Sequence, residues 1–156
     1  TFQLIAQVAG RAGRGDRPGR VIVQAHDLGH PAIRCAAEQR LKTFYTGELD
    51  LRRRYGYPPC GGLIRVLWRG EDAAAVQAVA EAQGAVLRQA AGRCEVLGPT
   101  PAGIAFLQGK HRWHLLVKAP SRGESQAVLD RLQAAGGLPE QRSVQVALDV
   151  DPYVIN

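Results

Sequence analysis

Three observations predict an α+β fold for this chain of 156 residues. Runs of alternating apolar and polar residues, such as "SVQVALDVD" over 143–151, mark strands packed on one face and solvated on the other. Two stretches with apolar residues at helical spacing, 71–91 and 121–135, lie between those strands. The order over the second half is strand, helix, strand, strand or hairpin, helix, strand. Two helices on one face of an antiparallel sheet is the split βαβ, ferredoxin-like arrangement.

Taken in order, residues 1–14 are expected to form a helix carrying Phe2, Leu4, Ile5, Val8 and Ala9. "GDRPG" (15–19) reads as a turn and "VIVQA" (21–25) as a short buried strand. Residues 31–55 read as helical, with Pro31 suited to the first turn. Their basic end, "LRRRYGY", stops at Gly56 and Pro58-Pro59, the clearest boundary in the chain. Beyond it, "LIRVLWR" (63–69) is a strand whose Ile64, Val66 and Trp68 share a face. The helix over 71–91 has Val76, Val79, Ala80 and Leu87 as its apolar stripe. "CEVLG" (94–98) is a strand followed by the Pro-rich "PTPAG". Residues 104–119 form a hairpin turning near Gly109. Ser121 and Glu124 make a capping box for the second helix. On the last strand Val144, Val146, Leu148 and Val150 share one face. Asp149 and Asp151 point to the other, where no third metal ligand accompanies them. A structural role suits Asp151 better, at the Pro152 turn or paired with an arginine.

Composition narrows the class. Hydrophobic residues make up 46% and charged ones 22%, which excludes wholesale disorder. No run of apolar residues is long enough to cross a membrane as a helix. There is no methionine, so the chain is expected to be a segment of a longer protein. The net charge is +6, and 17 of the 20 cations are arginine, whose planar fork suits phosphate. This charge permits nucleic acid as a partner. Cys35, Cys60 and Cys94 are odd in number and far apart, which fits reduced thiols better than a disulfide framework or a metal site. His111 and His114 fall on opposite faces of a strand and cannot share a metal. No metal site is expected in this chain.

"QVAGRAGRGDRPG" (7–19) concentrates cations on little side chain. Gly10 and Gly15 have the spacing of a phosphate-binding P-loop, but Asp16 stands where its lysine belongs. On a helix Gln7, Arg11 and Arg14 fall on one face, and Gly10 leaves that face open to close approach. Such a face can hold a polyanion such as a triphosphate; a solvated basic helix end fits the same spacing. Lys110, Arg112, His114 and Lys118 lie on or near the hairpin, and the last three alternate onto one strand face. They could follow a phosphate backbone or simply be solvated, while Trp113 points the other way, into the core. Arg122 and Gln126 are neighbours at a helix start, where anions are favoured. An exposed, merely solubilising pair fits equally.

The residues Q-x-x-G-R-x-G-R resemble the last motif of the second RecA-like lobe of superfamily-two helicases. "ELDLRRRYGYPPC", "VLGPTPAGI", "HRWHLLVKAPSR" and "LDVDPYVIN" together resemble the C-terminal part of the primosomal protein N′ (PriA) family of bacterial replication-restart DNA helicases. Cys60, in place of an aromatic after Pro-Pro, and His114, in place of a longer polar side chain, depart from that pattern. The resemblance implies the last piece of a RecA-like α/β helicase lobe over 1–29, a helical linker over 30–60 and a DNA- and partner-binding domain over 61–156. It implies that Gln7, Gly10, Arg11 and Arg14 face the γ-phosphate of ATP, with Arg11 or Arg14 as arginine finger, a device worth on the order of 10³–10⁵ in rate. ATP and Mg belong to the parent protein, zinc to its missing upstream part, and the chain alone is not expected to be catalytic. Lys110, Arg112, His114 and Lys118 would bind branched and single-stranded DNA. Arg122 and Gln126 would hold the acidic tail of the single-stranded-DNA-binding protein (SSB). The implied role is recognition of stalled or branched forks and restart by primosome assembly with other primosome proteins, in the bacterial cytoplasm at the nucleoid, with no membrane partner. The alternative is a non-enzymatic DNA-binding and SSB-docking scaffold whose parent ATPase is degenerate.

Overall fold

The computed structural model describes residues 1–12, 19–139, 141 and 143–152. The chain divides into two compact units, Thr1–Leu51 and Arg52–Asn156.

The N-terminal unit is helical. It contains α1 (Phe2–Arg11), α2 (Pro31–Ala37) and the start of α3 (Leu41–Tyr55). Pro31 occupies the first turn of α2, and His30 Nδ1 accepts from the Ala32 amide at 3.2 Å. The core is small: Phe2, Ala32 and Ala36 are buried, and Phe44 stacks on Phe2 with ring centroids 4.2 Å apart. Three expectations need correction here. The first helix stops at Arg11, with Ala12 extended, rather than running to residue 14. Gly10 in the last turn weakens the helix there, since a glycine costs a helix about 1 kcal/mol relative to alanine. Residues 21–25 form no strand, and Ile22 is 81% exposed. A strand is made by its ladder, and the described residues offer this segment no partner. The helix expected over 31–55 is two helices, parted where Gln39 takes a left-handed φ of 54°.

The C-terminal unit is an α+β sandwich of β1 (Gly62–Gly70), α4 (Ala73–Ala91), β2 (Glu95–Leu107), β3 (Lys110–Ala119), α5 (Arg122–Ala134) and β4 (Val144–Val150). The strands form one antiparallel sheet in the order β2-β3-β1-β4, so the chain order β-α-β-β-α-β is the split βαβ order. Ile64, Val66 and Trp68 share the core face with Leu115, Val117 and Val144. Val76, Ala80 and Leu87 of α4 and Val128 and Leu132 of α5 cover them, each valine or leucine contributing about 1.5–3 kcal/mol on burial. The buried Trp68 indole donates to Gln83 Oε1 at 2.7 Å, and Gln83 Nε2 donates to the Pro139 carbonyl at 2.8 Å. Asp72 caps α4 by accepting from the Ala74 and Ala75 amides, and Ser121 Oγ caps α5 by accepting from the Glu124 amide. Gly62 lets α5 approach β1: a Cβ there would lie 1.9 Å from Ser125 Oγ.

The expected strand over 94–98 and the Pro-rich segment after it are one 13-residue strand, β2. Its register to β3 shifts between Leu97 and Thr100 and again between Pro101 and Phe106. Prolines are tolerated there because β2 is an edge strand, and the shifts absorb their missing donors. The hairpin turns at Gln108 and Gly109, both at positive φ, as primed two-residue turns require.

Candidate nucleic-acid interface

Both helices of the C-terminal unit pack on one side of its sheet, which leaves the other side without a covering layer of helices. Residues opposite one another in an antiparallel register share a face. The core face takes Trp113, Leu115 and Val117 of β3, so Lys110, Arg112, His114 and Lys118 take the other. The structure thus brings the four residues expected on DNA onto one face. Trp113 is half-buried and packs against the core, as its position in the strand predicts.

The four differ in their surroundings. Lys118 Nζ lies 3.0 Å from Glu95 Oε2 and 5.4 Å from the Tyr57 ring centroid. Lys110 Nζ donates to Gln145 Oε1 at 3.1 Å, and Arg112 Nη1 donates to the Ile104 carbonyl at 3.4 Å. His114 is half-buried, and its Nδ1 has no hydrogen-bond partner among the described residues. Burial lowers its pKa below the ordinary histidine value, and the nearby Arg65 and Arg112 guanidiniums lower it further. His114 is therefore neutral at pH 7.

One residue of this face escaped the sequence reading. Arg69 is exposed at the end of β1, directly opposite Arg112. Its position, odd where Ile64, Val66 and Trp68 are even, was the available signal. Phe106, 58% exposed near the hairpin turn, is opposite His111 and so lies on the other side of the sheet from Arg112, with the two ring centroids 4.9 Å apart.

Arg122 and Gln126 sit exposed on α5, and each meets an acid of its own chain. Arg122 Nε is 3.4 Å from Asp151 Oδ2, and Gln126 Nε2 donates to Asp130 Oδ1 at 2.9 Å. Asp151 also accepts from the Leu63 amide at 3.0 Å and donates its own amide to the Leu63 carbonyl at 2.7 Å. It therefore extends the β1–β4 ladder and pairs with an arginine. In the N-terminal unit Gln7 and Arg11 are exposed one turn apart on α1, with open space beside Gly10. Arg14 lies outside the described residues.

Among the described residues no three His, Cys, Asp or Glu side chains gather as a metal site. No described helix is long and apolar enough to cross a membrane. Cys35, Cys60 and Cys94 are free thiols, and burial, followed by the Glu124 charge, raises the pKa of Cys94.

These features define a small split βαβ domain with a basic open sheet face, of the kind suited to a polyanion. The family model described as the primosomal protein N C-terminal domain matches residues 53–153, and the chain belongs to that family. The chain is 36% identical over 156 residues to the replication restart protein PriA of a Synechocystis species, covering 99% of this chain and 18% of that protein. It is 32% identical over 157 residues to the protein of the same name from Bacillus subtilis, covering 99% and 20%. With the Treponema pallidum protein of that name it shares 37% over 157 residues, covering 97% and 23%. The chain thus spans about a fifth of the length of these relatives.

Proposed function

We propose that this chain is the C-terminal part of an ATP-dependent DNA helicase that recognises stalled or branched replication forks and restarts replication by primosome assembly. Its own share is to hold DNA on the open sheet face of the C-terminal unit. The observation that carries this reading is the sorting of charge by strand parity. Arg69, Lys110, Arg112 and Lys118 all stand on the face that the helices leave open. The name shared by the relatives, replication restart protein, supports the role in restart.

Two further parts belong to the proposal. Arg122 and Gln126 hold the acidic SSB tail; the contact between Arg122 and Asp151 supports the ability of this guanidinium to take a carboxylate. Gln7, Gly10 and Arg11, with Arg14 following, form half of a nucleotide site. The exposed Gln7 and Arg11 and the open approach over Gly10 fit a polyphosphate. ATP with Mg supplies the phosphoryl transfer in the whole protein, and the part of these residues is to donate hydrogen bonds to its phosphates. The division into lobe end, linker and binding domain at residues 29 and 60 is part of the same reading.

Fluorescence anisotropy of labelled forked and single-stranded DNA tests the DNA-binding share. Binding is expected at low salt, with log K falling linearly against log salt. No binding of either DNA at low salt would contradict it.

A further inference from the structure

We infer that the hairpin end of the open face is a pocket for one phosphate group of a nucleic-acid strand, built by Arg69, Lys110 and Arg112 beside Gln145. This rests on the reading that DNA lies across this face. A cleft of about 370 Å³ opens there, lined by these four residues together with Leu67, Leu107 and Gln108, and no carboxylate lines it.

The register explains how the cations converge. Arg69 is opposite Arg112 on one side and opposite Gln145 on the other. Three strands therefore set an amide and two guanidiniums in a row. Lys110 reaches across the end of that row to Gln145 Oε1 at 3.1 Å. With its carbonyl taken, Gln145 offers a ligand chiefly its amide donors. Elsewhere on the face the register sets acids against cations. Lys118 is opposite Glu95 and Arg65 is opposite Asp149. The acids nearest in sequence, Glu71 and Asp72, line an adjoining cleft that shares Arg69, Lys110 and Gln145 with this one, and the Asp72 carboxylate is engaged in capping α4. Arg69, Lys110 and Arg112 thus stand together at the hairpin end of this face.

Like charges directly opposite on a sheet destabilise it, so this arrangement favours an anion between them. Guanidinium forks and an ammonium match the oxygens of a phosphate. The cleft is at the small end for ligand sites, with room for a phosphate and its sugar, and Leu67 and Leu107 offer the sugar an apolar wall. The phosphate can be an internal phosphodiester or a terminal monoester, and both share this chemistry.

The test uses the whole chain and a short fluorescein-labelled oligothymidylate, with and without a terminal 5′-phosphate. Arg69→Gln is expected to weaken binding roughly tenfold. It is also expected to make the salt slope shallower by about 0.7. Arg93→Gln, which removes an exposed cation beyond α4, is expected to change neither. Equal loss on both oligonucleotides supports an internal phosphodiester, and loss confined to the phosphorylated one supports a terminal phosphate. Wild-type binding by Arg69→Gln would overturn the pocket while leaving DNA binding intact. Failure of the unaltered chain to bind either oligonucleotide would overturn the DNA-binding reading and the pocket with it.

Discussion

Arg69 and Arg112 stand directly opposite each other on adjacent antiparallel strands, on the sheet face that no helix of the C-terminal unit covers. Such a pair opposes folding and favours an anionic partner. Arg69→Gln is therefore expected to raise the stability of the DNA-free chain by roughly 0.5 kcal/mol. Urea unfolding at low salt measures this, and the gain should fade at about 1 M salt, where screening acts within about 3 Å. A loss of stability would mean that Arg69 serves the fold rather than a ligand.

The core makes a different demand. Gln83 accepts from the Trp68 indole and donates to the Pro139 carbonyl, so it satisfies two groups across α4, β1 and the segment after α5. Gln83→Leu leaves the buried Trp68 indole without its acceptor and removes the part-buried bond to the Pro139 carbonyl, and should cost about 1–3 kcal/mol. Chemical denaturation checks this; a change near zero would mean that the site does not depend on these bonds.

His114 supplies a pH dependence whose sign follows from its lowered pKa. Desolvation, then Arg65, then Arg112 disfavour its charged form. Below the ordinary value of about 6.5 the unfolded chain binds the proton first, so stability is full above that pH and falls as pH drops below it. A phosphate beside His114 would favour the charged form instead, so DNA affinity should rise over the window in which stability falls. His114→Gln should flatten both curves. DNA affinity that is equally pH-dependent in the variant would exclude His114 from the interface.

Much of this fold was legible because local signals agreed with tertiary ones. Alternation over 63–69 and 143–151 sorted inner from outer residues, and Ser121 marked the start of α5. The misses have physical reasons. "VIVQA" carries the pattern of a buried strand, but a pattern cannot supply a neighbour to pair with. The prolines of 99–101 read as a loop because their tolerance depends on β2 being an edge strand, which is a property of the sheet order. The break at Gln39 is a left-handed residue that is not glycine, and composition does not announce it. At the interface, parity placed Arg112, His114 and Lys118 correctly. Parity offered the face of Arg69 as well, but its place opposite Arg112 depends on β1 pairing with β3, across 43 residues of sequence.

Arg122 offers a way to separate two binding roles. Its bridge to Asp151 is largely exposed on the arginine side, so Arg122→Ala should cost less than about 1 kcal/mol of stability. Binding of a peptide with the acidic SSB tail sequence should be lost, and DNA affinity should stay near its original value. Loss of both, or of neither, would count against the assignment of Arg122 and Gln126 to the tail.

Amide chemical-shift mapping of the chain titrated with single-stranded DNA tests the central claim most directly. The account predicts the largest perturbations on the open face, at Arg69, Arg112, His114 and the hairpin turn at Gln108 and Gly109, with α4 and α5 little changed. Perturbations centred on the helices, with the open face of β1 and β3 silent, would contradict it.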